Sequence, residues 1–189
     1  MRQEIRLAGF GGQGIILAGF VLGRAAAIYG GKEAVFTQSY GPEARGGACA
    51  AEIVISDGAI DYPLVTQPDY IVCMSQEAFS KYGNGIAEGA RLIIDSDLVQ
   101  APTHNGYFGY FCSVAATRLA MELGNRMAAN IVMLGFFAGA TGVVPREALE
   151  ESVRATVRPR HLELNMRALD TGFREALTAT AGGSQGAER

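Results

Sequence analysis

A chain of 189 residues holds one domain with room for a substantial core. A charged fraction of only 19% and a net charge of −3 exclude the basic stripe of a nucleic-acid-binding protein, and two histidines leave little material for a histidine metal site. Three cysteines, Cys49, Cys73 and Cys112, lie far apart with no C-x-x-C spacing, which excludes an iron–sulfur or zinc framework within the chain and reads as buried free thiols.

The charged start Met1-Arg2-Gln3-Glu4 enters a strand at once, which reads as no signal peptide and a cytoplasmic location. The first strand is predicted at Glu4–Gly9 and a long apolar helix at Gln13–Tyr29, closed by Gly30-Gly31. That helix contains Arg24 and is too short to span a bilayer. Ala34–Gln38 is a second strand, Ser39–Gly47 a polar loop, and Ala48–Ser56 a strand. Asp57-Gly58 is a turn signal, after which Ile60–Leu64 can return as a hairpin partner. Tyr70–Met74 is a buried strand, Gln76–Tyr82 a short helix, Arg91–Asp95 a strand, and Gly106–Phe111 a further strand candidate. Helices follow at Ser113–Leu123, Ala128–Ala140, Pro145–Val157 (with Pro145 at the favoured first position) and His161–Ala176. The expected fold is α/β: a Rossmann-like, mostly parallel sheet with helices on both faces, an antiparallel hairpin element near Ala48–Leu64, and a helical C-terminal half. Residues 1–178 form the domain, and 179–189 read as a frayed tail.

Gly9-Phe10-Gly11-Gly12-Gln13-Gly14 joins the first strand to the first helix. A glycine-rich turn there offers bare backbone N–H groups to an anion or cofactor. Gly9, Gly11 and Gly14 satisfy G-x-G-x-x-G, but a dinucleotide site also wants an acid at the end of the second strand. That strand ends at Thr37-Gln38, and Glu33 lies before it. Three readings stand open: a nicotinamide dinucleotide loop, a loop for another phosphate or a partner subunit, and plain packing of backbone on helix. Gly19 and Gly23, with Ala18, Ala25 and Ala26, allow very close approach of another element and read as packing. The small residues of this helix also hint at self-association.

The segment Gln38-Ser39-Tyr40-Gly41-Pro42-Glu43-Ala44-Arg45-Gly46-Gly47 follows the second strand, at the sheet edge where open α/β sheets place ligands and partners. Its glycines and proline fix turns around Glu43 and Arg45, and a fixed arginine can bind a carboxylate or phosphate bidentately. A surface Glu–Arg pair beside a tight turn is the plainer alternative.

Gly9–Gly14, Ser39–Gly47, Asn130-Ile131-Val132-Met133-Leu134-Gly135 and Asn165-Met166-Arg167-Ala168-Leu169 with Gly172 together resemble the gamma subunit of 2-oxoacid:ferredoxin oxidoreductases, over about residues 4–177. The Tyr40–Gly47 form is most like the 2-oxoglutarate-type members. The resemblance implies a complex that decarboxylates a 2-oxoacid on thiamine diphosphate with magnesium, passes electrons through iron–sulfur clusters to ferredoxin, and gives the acyl group to coenzyme A. It implies that those cofactors sit in partner alpha and beta subunits, with a ferredoxin-like delta subunit where present, and that this chain packs against them. No Gly-Asp-Gly motif with a following Asn-bearing stretch stands in the sequence, and no Ser/His/Asp or Cys/His set stands out. The expectation is therefore an accessory subunit without catalytic or metal-binding residues of its own. It would shield the site from water and line the coenzyme A path. Gly11, Gly12, Gln13 and Gly14 are the candidate phosphate or partner loop, and Tyr40, Glu43 and Arg45 the candidate partner- or substrate-facing residues. Asn130 reads as an N-cap or loop tie, and mid-helix Asn165 as the donor of a tertiary hydrogen bond. A pyruvate- or branched-chain-type subunit, and a free-standing nucleotide- or coenzyme A-binding module, are the alternatives.

Overall fold

The computed structural model describes residues 1–40, 47–83, 87, 89–100 and 110–183. Six strands form one sheet in the order β2-β3-β1-β4-β5-β6. They are β1 (Arg2–Phe10), β2 (Glu33–Tyr40), β3 (Ala48–Ser56), β4 (Tyr70–Cys73), β5 (Arg91–Asp95) and β6 (Tyr110–Val114). β1, β4, β5 and β6 run parallel, whereas β3 pairs antiparallel with both β1 and β2.

The antiparallel element is thus β3 itself, inserted between β1 and β2, and the predicted hairpin return at Ile60–Leu64 does not form. Both edges of β3 are already taken, Ser56 lying opposite Arg2 on one side and Glu33 on the other. Residues 57–69 instead make an irregular crossing tied down by Glu4, whose carboxylate accepts the Thr66 and Gln67 N–H groups at 2.6 and 3.0 Å. Burial works to raise the Glu4 pKa, but hydrogen bonds from Arg2 and these two amides outweigh it and hold the carboxyl below its usual range.

The two faces are covered unequally. Ile5, Leu7, Ala51, Ile53, Ile55, Val72 and Ile93 point to one face, where α1 (Ile15–Arg24), α3 (Ala116–Glu122), α4 (Ala129–Thr141), α5 (Arg146–Thr156) and α6 (Pro159–Gly183) build the main core. Among the described residues, α2 (Gln76–Tyr82) is the only helix on the other face; its Ala78 and Phe79, together with Val99 from the turn after β5, pack on Ala8, Ile71, Cys73, Leu92 and Ile94. The alternation of side chains along each strand makes this division. It also pairs Arg6 with Glu52 at 2.8 Å on the thinly covered face, with the Tyr82 ring 5.5 Å from the guanidinium.

Glycines set the helix packing. A Cβ on Gly19 would run into Ala51 Cβ, so this glycine lets α1 sit closely on β3. α4 is buried on every side from Ala129 to Ala138, and a Cβ on Gly172 of α6 would meet Phe136 N at 2.6 Å. α1 ends in a π-helical turn (Ala25–Tyr29), and Gly31 follows with φ +66°.

Several boundaries differ from the sequence reading. Ser113 and Val114 belong to β6, opposite Ile94 and Asp95, so the helix begins at Ala116. Pairing in the sheet overrides helix propensity there. α3 lacks a side-chain cap of its own. Asp95 accepts the Thr117 N–H and hydroxyl at 3.1 and 2.6 Å, and Asp97 accepts the Arg118 N–H. Pro145 is the N-cap of α5, in extended conformation, rather than its first residue. α6 continues past Ala179 to Gly183, and 184–189 lie outside the described residues. No helix among the described residues is long and apolar enough to cross a membrane.

Candidate functional site

The glycine loop lies at the C-terminal edge of the parallel strands, between β1 and α1. Gly12 and Gly14 hold φ +99° and +77°, a region that L side chains rarely adopt. Gly14 stands at the N-cap of α1 without a side-chain cap, so the first N–H groups of the helix face the loop without a capping side chain.

Gln13 closes the loop from within. Its Oε1 accepts the Phe10 N–H at 2.6 Å, and its Nε2 donates to the Met74 carbonyl at 2.7 Å. One side chain therefore ties the end of β1 to the residue that follows β4. A Cβ on Gly9 would stand 2.6 Å from both Gln13 Oε1 and Ile15 Cδ1, so Gly9 is the space that this clip occupies. Asn130, the second residue of α4, donates from Nδ2 to the Gly14 carbonyl at 3.0 Å. It is a loop tie; Ala128 holds the N-cap position. Its Oδ1 is buried without a hydrogen-bond partner, and it borders an apolar void of about 10 Å³ among Ile15, Met74 and Phe137.

The two sequence motifs start from one corner. Gly9 and Tyr40 both lie opposite Cys49 across the antiparallel ladders, and the Gly11 N–H donates to the Gly47 carbonyl at 3.2 Å. Tyr40 thus ends β2 at the same end of the sheet as the glycine loop, with β3 between them. Glu43 and Arg45 lie outside the described residues.

A cavity of about 310 Å³ opens on this corner, lined by Phe10, Gly11, Gly12, Gln13, Met74, Thr117, Arg126 and Met127. Its rim is apolar: Phe10 is 41% and Met127 64% exposed. Behind the α1 N-terminus a second cavity of about 430 Å³ is bounded by Gly14, Leu17, Asn130, Arg158, His161 and Asn165. Among the described residues Asn165 makes no tertiary bond: its Nδ2 donates to the His161 carbonyl one turn earlier, at 2.7 Å. Sequence reasoning passed over Arg126 and Met127. The signal was present as Gly124-Asn125-Arg126 before a strongly apolar helix, since Asn125 caps the short turn by accepting the Met127 N–H.

The surroundings hold little acid–base chemistry. Burial pushes the Cys73 thiol up to about 12 and raises the Cys49 thiol, so neither is a nucleophile at neutral pH. Cys112 is only half-buried, contrary to the expectation for all three thiols. Burial, reinforced by neighbouring Asp97, raises the Asp95 pKa against its hydrogen bonds from Thr117 and Asp97. Among the described residues no three His, Cys, Asp or Glu side chains stand together.

The arrangement is unlike a dinucleotide site. There the acid that holds the ribose sits on the strand next to the glycine loop. Here β3 separates β2 from β1, which carries the end of β2 two strand spacings away, about 10 Å. Gln13 also fills the loop's inner side.

Similar proteins place the chain. The model of the family described as pyruvate ferredoxin/flavodoxin oxidoreductase matches residues 4–175. The 2-oxoglutarate synthase subunit KorC of Methanocaldococcus jannaschii is 49% identical, the match covering 93% of this chain and 95% of that protein. Its counterpart from Methanothermobacter marburgensis is 48% identical, with 91% and 95% covered. The crystal structure of a keto/oxoacid ferredoxin oxidoreductase gamma subunit from Geobacter sulfurreducens superimposes with a TM-score of 0.84 at 44% identity, covering 95% of this chain and 98% of that one. The same fold recurs in the 2-oxoglutarate:ferredoxin oxidoreductase of Magnetococcus marinus, with a TM-score of 0.82 at 22% identity, where it covers 31% of a longer chain. The chain belongs to the pyruvate ferredoxin/flavodoxin oxidoreductase family and has the fold of its gamma subunits.

Proposed function

We propose that this chain is the gamma subunit of a 2-oxoglutarate:ferredoxin oxidoreductase, and that it works by packing its glycine-loop corner against the subunits that carry the chemistry. The observation that carries the substrate class is the end-to-end match to KorC proteins at 49% identity, against 29% for the pyruvate synthase subunit PorC of Methanocaldococcus jannaschii. The corner suits docking. Gln13, Asn130 and the glycines hold a rigid backbone shape, and exposed Phe10 and Met127 give it an apolar rim. Arg126 lines the cavity beside them and offers a cation to a carboxylate or phosphate.

In this reading thiamine diphosphate, magnesium and the clusters belong to the alpha and beta partners and a ferredoxin-like subunit, with ferredoxin as acceptor. The chain closes the active-site region against water and borders the approach of coenzyme A. Tyr40, Glu43 and Arg45 face the partner or substrate, and the isolated chain is inactive. Anoxic affinity purification from the host tests the assignment. Stoichiometric recovery of a thiamine diphosphate subunit, with dye reduction that depends on 2-oxoglutarate and coenzyme A, supports it. Recovery of the chain alone with a bound nucleotide overturns it. Arg45→Ala separates two roles: lost turnover in an intact complex marks a ligand contact, and unchanged turnover removes Arg45 from the site.

A further inference from the structure

The proposed function leaves the cavity of about 430 Å³ behind α1 unused. It lies between the first turn of α1, the turn that leads into α4, the end of α5 and the start of α6. Its size is that of a small-molecule site, with room for about a dozen non-hydrogen atoms at about 30 Å³ each. Leu17, Met127, Val157 and Leu164 give it apolar walls. Two polar side chains that line it are left over by the fold. Asn130 is 3% exposed; its Nδ2 holds the Gly14 carbonyl, but its Oδ1 has no partner. The Thr156 hydroxyl is buried without a partner too. Elsewhere in these helices Thr141 and Thr171 satisfy their hydroxyls on the carbonyl one turn back. Buried polar groups left in this way are rare, because they cost free energy until something pairs with them. The rim is basic. Arg146 and Arg154 of α5 are both paired with Glu150, whereas exposed Arg158 enters no ion pair among the described residues. Beside it Arg160 donates to His161 Nε2 at 3.0 Å. Among the described residues no acidic side chain lines the cavity.

We propose that this cavity binds a small organic acid with three parts: a carboxylate held by Arg158 at the rim, an apolar body against Leu17 and Leu164, and a hydroxyl or amide N–H at the floor. Each part answers a feature of the wall. The carboxylate meets the unpaired guanidinium, and the positive end of α1 favours the same sign of charge. The donor at the floor supplies what Asn130 Oδ1 lacks, and a hydroxyl there serves Thr156 as well. A cationic ligand would be repelled by the rim. A wholly apolar one would seal both orphaned groups away from any partner. The occupant is a free molecule rather than a partner's side chain for a chemical reason: no amino-acid side chain carries both an anion and a separate donor across an apolar body.

Calorimetric titration and thermal unfolding of the full chain test the proposal with three probes. 4-Hydroxyphenylacetate carries all three parts, phenylacetate lacks the donor, and 4-hydroxyphenylacetamide lacks the charge. The first is expected to bind with a sub-millimolar Kd and to raise Tm by about 5–10 °C at about a hundred times that Kd. Each of the others should bind at least about fivefold more weakly. Arg158→Gln should weaken the acid at least about tenfold and leave the amide unaffected. Thr156→Val removes an orphaned group, so the empty chain should be at least as stable as wild type while binding 4-hydroxyphenylacetate more weakly. A purely structural threonine would not give that pair of results. Should Thr156→Val misfold, Leu17→Trp at the exposed mouth decides the matter by closing the cavity. No binding of any probe at millimolar concentration overturns the proposal, as do equal affinities for the three or an acid that Arg158→Gln leaves untouched. Displacement by coenzyme A also overturns it, because the cavity then belongs to the coenzyme A approach. So does loss of binding on assembly with the partner subunits, because a partner then fills the space. The site is independent of which oxoacid the complex uses, so its failure leaves the functional reading standing.

Discussion

Replacing Gln13 separates a side chain that builds the glycine loop from one that serves a ligand. Gln13→Ala deletes the bond from Phe10 N–H at 2.6 Å and the bond to the Met74 carbonyl at 2.7 Å. A net protein hydrogen bond is worth about 0.5–1.5 kcal/mol, and the Phe10 amide lies at an exposed rim where water takes over. The loss is therefore about 1–2 kcal/mol, or about 2–8 °C in Tm for a domain of this size. Gln13→Glu is the sharper variant. It keeps an acceptor for Phe10 N–H but turns an anionic oxygen toward the Met74 carbonyl. At pH 7 it is expected to be at least as damaging as alanine, less the few tenths of a kcal/mol that an acid gains near a helix N-terminus. Near pH 4 the new carboxyl is protonated and can donate again, so its deficit relative to wild type should shrink on acidification. Thermal unfolding of the purified chain at both pH values reads this directly. A Gln13→Glu protein as stable as wild type at pH 7 would refute the clip. Unchanged stability in Gln13→Ala together with lost turnover of the complex would show a side chain that serves a ligand instead.

Gly9→Ala should cost more than Gln13→Ala, because its Cβ expels Gln13 and strikes Ile15 as well; comparative urea melts check the order. Gly172→Ala is expected to cost about 3 kcal/mol or to abolish folding, since its Cβ meets backbone atoms of α4. Gly12→Ala meets no atom and should cost only the left-handed backbone strain of about 1–2 kcal/mol. Asp95 carries a testable sign: its folded pKa is raised, so the native state binds the extra proton and stability falls as pH rises from near 4 through that folded pKa. The stability gap between wild type and Asp95→Asn should therefore be wider at pH 4 than at pH 7, and a gap that widens toward pH 7 contradicts it. Arg126→Ala should leave the melting temperature of the free chain unchanged and lower turnover of the assembled complex at least about tenfold; equal turnover removes Arg126 from the site.

Periodicity and punctuation carried much of the fold. β3, α2 and β5 run over the predicted residues, because alternating or short apolar runs with clear turn residues leave no competing structure. The position of β3 was not legible. Which strand lies beside which depends on long-range pairing, and a strand flanked by polar loops looks alike at an edge or between two neighbours. Ser113-Val114 read as helix for the same reason, since only the ladder with β5 makes them strand. At the site, the glycine pattern announced the loop, but the work of Gln13 could not be read from it. The Met74 carbonyl that Gln13 holds is 61 residues away. Asn130 was legible as a tie by its place at the head of an apolar helix, though its partner Gly14 was not. Arg126 escaped notice because an arginine in a short turn carries no pattern until the fold sets it beside the loop.

The central claim is that this chain completes a 2-oxoglutarate-using complex. Its most direct test is reconstitution of the alpha and beta partners with and without the chain, under anoxic conditions, comparing kcat/KM for 2-oxoglutarate and pyruvate with coenzyme A present. The account predicts turnover that requires the chain and favours 2-oxoglutarate. Full turnover without it, or a preference for pyruvate when it is present, would contradict the account.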